Sequence, residues 1–118
     1  NLTTSDIKKI NKLINCPFDD VKLNGLIELS KLSKNEKNFD LISKKSLQYI
    51  LKDLSFDNII IQYYSIIILK NLIEFNSEYF ISFNILNKIK DLLKKYKVFD
   101  GYNYELYSNL FSIYNLIN

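Results

Sequence analysis

Few side chains in this sequence are equipped for bond-making chemistry. The candidates are Cys16 and the aspartates Asp19, Asp20 and Asp57. There is no histidine, so nothing of matched basicity stands ready to take a proton from a thiol or hydroxyl. Cys16 precedes Pro17 at an expected turn and reads as a small apolar side chain beneath the loop. Asp19, Asp20 and Asp57 each stand just ahead of a hydrophobic run, where a carboxylate complements the positive end of a helix. That use explains them better than an acid–base pair does. With two glycines there is no phosphate-cradling loop, and no group of ligands has metal spacing. The chain is therefore expected not to be an enzyme, and to carry no catalytic residues, metal or cofactor.

Contact chemistry remains. The sixteen basic residues are all lysines, and they set a net charge of +3. Lys31, Lys34, Lys37, Lys44, Lys45 and the cluster from Lys88 to Lys97 have the type needed to meet phosphates. They alternate with acids along the chain and so read as a solvated face, which ranks nucleic acid below protein as a partner.

The elements that must position these groups are visible as a repeat. Ile7, Ile10, Ile14, Val21, Leu29 and Leu32 fall on Leu47, Ile50, Leu54, Ile61, Leu69 and Leu72, each pair 40 residues apart. A fainter copy matches Asn109–Ile117 to Ser65–Ile73 at an offset of 44. Repeats of this period signify stacked helical units that share one continuous core. The expectation is an all-α, right-handed α-solenoid of about three units, forming one domain over residues 1–118 and cut from a longer array.

Composition agrees. Apolar residues make up 47% of the chain, enough for a core at this length. Ala, Arg, His, Met and Trp are absent while Ile, Asn, Lys and Tyr abound, as expected from an A+T-rich eukaryotic genome. A lone cysteine and no disulfide framework point to a reducing, intracellular compartment, cytoplasmic or nuclear. The longest uncharged run, Asn58–Leu69, is too short to span a bilayer. Asn1-Leu2-Thr3 fits the glycosylation pattern by accident.

Period and caps place the helices. The first follows Thr3 or Thr4 and ends at Cys16-Pro17; the second starts after Asp19 or Asp20 and closes at Ser33-Lys34-Asn35. A short helix over Glu36–Lys44 and another over Ser46–Leu54 come next. Asp57-Asn58 then opens a long helix to about Glu74. Asn76-Ser77 caps a short one to about Phe83, Ile85–Tyr96 makes the next, and a Lys97–Gly101 loop with an Asp-Gly turn leads into Tyr102–Ile117. Lys45 and Asn84 occupy equivalent junctions, and Asn suits the left-handed backbone there better than Lys. Ile59–Ile68 has strong β propensity, yet the repeat register makes it helix, apolar on nearly every side and so expected to be buried on nearly every side.

The triplet of short, medium and long helices, with ELSKL (Glu28–Leu32), ILKNL (Ile68–Leu72) and SIYNL (Ser112–Leu116) in the long ones, resembles the armadillo repeat of importin-α and β-catenin. HEAT repeats are the runner-up. The resemblance implies a groove, lined by the third helices, that binds a protein or peptide segment. In some members a tryptophan and, four residues on, an asparagine form one rung of that groove. Here Ile27, Ile67 and Phe111 stand at the tryptophan position and Lys31, Asn71 and Asn115 at the asparagine position, with Leu23, Tyr63 and Tyr107 one turn earlier. Without tryptophan walls, recognition of nuclear-import signals is not implied. A structural role is the alternative, with self-association through terminal helices at Phe111, Tyr114 and Ile117, or at Ile7 and Ile10.

Overall fold

The computed structural model describes residues 2–96 and the helix from Gly101 to the end, with side chains described from Tyr104 in that helix. The expected Asp-Gly turn falls largely outside the described residues, as does Lys97. All regular elements among the described residues are helical: α1 (Thr4–Ile14), α2 (Asp19–Leu32), a 3₁₀ turn (Glu36–Asn38) leading into α3 (Phe39–Lys45), α4 (Leu47–Asp53), α5 (Ile59–Phe75), a second 3₁₀ segment (Glu78–Phe83), α6 (Ile85–Lys95) and α7 (Gly101–Ile117). Ile59–Ile68 is helix, despite its β propensity. None of these helices is long and apolar enough to cross a membrane.

Local chemistry sets the ends. Thr3 and Asp6 form a reciprocal capping box at 3.0 and 3.1 Å, and those bonds hold the Asp6 carboxyl below its ordinary pKa. Asn58 Oδ1 accepts from the backbone N–H groups of Ile60 and Ile61, capping α5. α2 starts one or two residues earlier than expected: Phe18 is its cap, and Asp19 and Asp20 lie inside the first turn, where they complement the helix dipole.

Two expected short helices are tighter than α. The first begins as 3₁₀, and Glu78–Phe83 is 3₁₀ throughout. Three residues per turn stack positions i and i+3, which brings Phe80 and Phe83 together at 6.3 Å. Phe39 meets both Tyr79 and Phe80 edge-on at 5.8 and 6.1 Å, fixing this turn against α3.

The equivalent junctions differ. Asn84 is left-handed, with φ 55° and ψ 32°. Lys45 needs no such conformation, because the chain turns at Ser46 with φ −120°. The Asn11 side chain holds that turn, donating to the Lys45 carbonyl at 2.9 Å and accepting from Ser46 Oγ at 2.6 Å.

Packing follows the repeat. α1 packs on α2, α4 on α5 and α6 on α7, while α2, α5 and α7 lie in a row with α5 central. α3 fits against α1, α4 and α5; the second 3₁₀ segment fits against α5, α6 and α7. Of the six offset pairs, Ile7/Leu47, Ile10/Ile50, Ile14/Leu54 and Leu29/Leu69 are buried on both sides. Val21 and Leu32 remain half-buried where Ile61 and Leu72 are covered, because α2 has a long neighbour on one flank and α5 on both. Each fully buried Ile or Leu contributes about 1.5–3 kcal/mol, and these side chains form one continuous core.

Burial of α5 is less complete than its composition implies. Ile59, Ile60, Tyr63, Tyr64 and Ile67 are only half-buried, whereas the polar Gln62 and Ser65 are fully buried. The neighbours leave an apolar stripe of α5 half-covered.

Candidate functional site

That stripe belongs to the surface expected to act as a groove. On α2, Leu23 and Ile27 are half-buried and Lys31 is exposed; on α5, Tyr63, Ile67 and Asn71 are half-buried. On α7, Tyr107 is half-buried and Phe111 and Asn115 are exposed, Phe111 at 48%. None of the nine is fully buried, though Tyr63 packs against the core.

Polar side chains tie the row together. Asn58 Nδ2 donates to Asp19 Oδ2 at 3.0 Å, joining α5 to α2 at their N-terminal ends. At the other end Asn71 Nδ2 donates to Ser33 Oγ at 3.0 Å, and Ser33 in turn donates to the Ser30 carbonyl at 2.8 Å. Tyr63 Oη donates to Glu105 Oε2 at 2.8 Å, linking α5 to α7. Tyr107 and Phe111 stack at 6.3 Å with planes 17° apart, and Tyr114 continues the row on α7. The amide of Asn71 is thus engaged within the fold, while Asn115 is exposed and its side-chain amide bonds no described residue.

Clefts of 370, 380 and 440 Å³ lie elsewhere on the molecule, lined by residues other than the nine. Among the described residues no three Cys, Asp or Glu side chains gather as metal ligands would. Cys16 is half-buried.

Two polar anchors behind the strip were not singled out from sequence. Lys22 on α2 is buried, donates to the Ile14 carbonyl at the end of α1, and pairs with Asp53 Oδ1 on α4 at 3.2 Å, its ammonium 5.1 Å from the Phe56 ring. Burial pushes the Asp53 carboxyl up, against the lowering effect of Lys22, and Asp53 Oδ2 has no hydrogen-bond partner among the described residues. Gln62 on α5 donates to the Leu54 carbonyl at 2.8 Å and accepts from Tyr96 Oη. The available signal was that Gln62 and Ser65 are the polar exceptions without aromatic rings in the run Ile59–Ile68.

The terminal helices differ as association surfaces. Ile7 and Ile10, expected to offer one, are 1% and 7% exposed because they pack into the common core. On α7, of the three expected residues Phe111 is 48% exposed, whereas Tyr114 and Ile117 are half-buried and pack against the core; Tyr104 and Leu116, not expected, are 57% and 41% exposed. Comparison of the chain with protein-family models, with curated proteins and with solved structures found no match.

Proposed function

We propose that the chain is an armadillo-like α-solenoid whose row of long helices takes up a segment of another protein. The observation that carries this reading is an apolar and aromatic strip across three adjacent helices, in which Ile27, Tyr63, Ile67 and Tyr107 are half-buried and Phe111 is exposed. Folding leaves part of each of these side chains at the surface although the chain has ample apolar residues for its core, and aromatic anchors on a helical surface suit an extended or helical segment. A peptide library selected on the domain tests it. Selected peptides should lose roughly thirtyfold in affinity on Phe111→Ala, the effect of truncating a central aromatic anchor by about 2 kcal/mol. Peptides indifferent to Phe111→Ala and Tyr107→Ala would contradict the assignment.

A second reading, self-association through α7, is supported by the exposure of Phe111 and Leu116 on one helix. Under it, sedimentation gives a dimer that Leu116→Lys weakens. A monomer at high concentration removes its support.

A further inference from the structure

The fold sorts charge that the sequence mixes. The short helices α1, α3, α4 and α6 carry ten lysines against four aspartates, one of which, Asp53, is buried with Lys22. The long helices α2, α5 and α7 carry three lysines against five acids. Alternation along the chain thus becomes segregation between layers.

Lysines of the short-helix layer line two clefts, one between α1 and α4 and one between the end of α4 and α6. Between α1 and α4 a cleft of 440 Å³ is lined by Lys8, Asn11, Lys12, Asn15 and Tyr49, with no carboxylate. Lys8, Lys12 and Asn15 share one face of α1 through their i, i+4, i+7 spacing. Asn11 is committed to the Lys45–Ser46 turn, so the groups open to a ligand are two ammoniums, an amide and a phenol ring. Past the end of α4 a smaller cleft of 160 Å³ is lined by Leu54, Ser55 and Gln62 on one side and by Lys88, Asp91 and Lys95 of α6 on the other, so two lysines there outnumber one carboxylate. Lys52 is exposed on α4 itself.

We propose that this face binds single-stranded nucleic acid, with phosphates along Lys8 and Lys12 and across α4 to Lys88 and Lys95, and a base laid against Tyr49. Lysines tracking a backbone beside an aromatic platform are the composition of sequence-tolerant single-strand binding. The chain has no arginine to read base edges with two parallel bonds, so recognition rests on charge and stacking. A membrane fits less well. Among the described residues the most exposed large apolar side chains, Phe18 and Ile81, stand at the α1–α2 turn and in the second 3₁₀ segment, and neither lines a lysine cleft.

Anisotropy of a short labelled oligo(dT), titrated with the protein from low to moderate salt, tests the proposal. Wild type should bind at low salt and weaken as salt rises. Lys8→Ala with Lys12→Ala should make the slope of log affinity against log salt shallower by about 1.4, at about 0.7 for each phosphate no longer neutralised. Lys88→Ala with Lys95→Ala should act in the same direction, and Tyr49→Leu should weaken binding with the slope unchanged. Phe111→Ala, on the opposite layer, should leave oligo(dT) binding as it is, which separates this inference from the groove reading. The proposal is overturned if wild type does not bind oligo(dT) at low salt, if both lysine-pair variants keep native helicity and the wild-type slope, or if the protein binds phosphatidylserine vesicles and not the oligonucleotide.

Discussion

Lys22 and Gln62, 40 residues apart, make the same connection at equivalent places: each sends its terminal nitrogen back eight residues to a carbonyl at the end of the preceding helix, Ile14 for one and Leu54 for the other. Each also reaches forward to the next unit, Lys22 to Asp53 on α4 and Gln62 to Tyr96 just beyond α6. A helix end has carbonyls with no partner of its own, and a buried one needs a donor. The repeat therefore carries a buried clamp as well as an apolar pattern. At the offset of 44 the third position is Leu106, fully buried, with no donor to continue the series.

Removing the neutral clamp should cost stability through the groups it strands. Gln62→Leu keeps apolar volume but leaves the Leu54 carbonyl and Tyr96 Oη without that partner, and a buried polar group left unpaired costs about 1–3 kcal/mol. Urea denaturation should show a lower midpoint with an unchanged slope. A midpoint equal to wild type would mean that water or a shifted side chain replaces the amide.

The charged clamp should respond differently, because its partner is an ion. Lys22→Met leaves Asp53 buried without its cation, a loss of about 3–5 kcal/mol, whereas Lys22→Met with Asp53→Leu should recover most of that loss. pH separates the two. Burial raises the Asp53 pKa above its ordinary 3.8, so the folded state holds this proton more tightly than the unfolded state does. The Asp53 contribution to stability is then most favourable below 3.8 and declines as pH rises through its folded value. Lys22→Met removes the opposing charge and widens that window upward. Its destabilisation relative to wild type should shrink as pH is lowered toward the carboxylate range, and a deficit independent of pH would show that Asp53 is not the stranded group. Asp6 has the opposite sign: its lowered pKa gives a contribution present above 3.8 and lost as pH falls through the folded value.

Much of this architecture was legible in the sequence, and the reasons for the misses are local. Six apolar pairs at one offset located α1, α2, α4 and α5, because a shared core constrains identity at each contact. Asn84 was legible as a left-handed junction because few side chains tolerate that backbone. The matching turn at Ser46 was not, since its support comes from Asn11, 35 residues away. Nor was the 3₁₀ character of the segment Glu78–Phe83, whose rings Tyr79 and Phe80 pack on Phe39, another long-range contact. For the candidate groove, the i, i+4 rungs were readable as one helix face, but the bond from Asn71 to Ser33 was not, because register alone does not say which way an amide turns.

A tight crossing supplies a third test. A Cβ built on Gly25 would lie 2.8 Å from Leu13 Cβ and 3.1 Å from the Ile14 backbone nitrogen, neither of which is the end of a flexible chain. The equivalent position in the next unit is Ser65, also small and fully buried. Alanine gains about 0.8–1.0 kcal/mol of helix propensity over glycine. Forcing α1 from α2 costs about 1–3 kcal/mol. Gly25→Ala should therefore lower the melting temperature, while Asn24→Ala, on the exposed side of the same turn, should not. A stabilised Gly25→Ala protein would mean that the two helices are free to separate.

The last prediction concerns the two asparagines placed at equivalent rungs. Asn71 donates to Ser33 and so helps hold α5 against the end of α2, whereas Asn115 is exposed on α7. Asn71→Ala should lower stability by about 0.5–1.5 kcal/mol, the net value of one hydrogen bond, because Ser33 keeps its bond to the Ser30 carbonyl. Asn115→Ala should change stability by less than about 0.5 kcal/mol, as exposed substitutions do. Peptides selected on the long-helix strip then divide the possibilities. If they lose affinity on Asn115→Ala at constant stability, that amide contacts the guest directly. If they lose it only on Asn71→Ala, in step with the lower stability, the effect runs through the α2–α5 packing. Equal losses on both, with stability unchanged in both, would show that Asn71 releases Ser33 to bind the guest, and the Asn71–Ser33 bond would then be a contact of the empty groove alone.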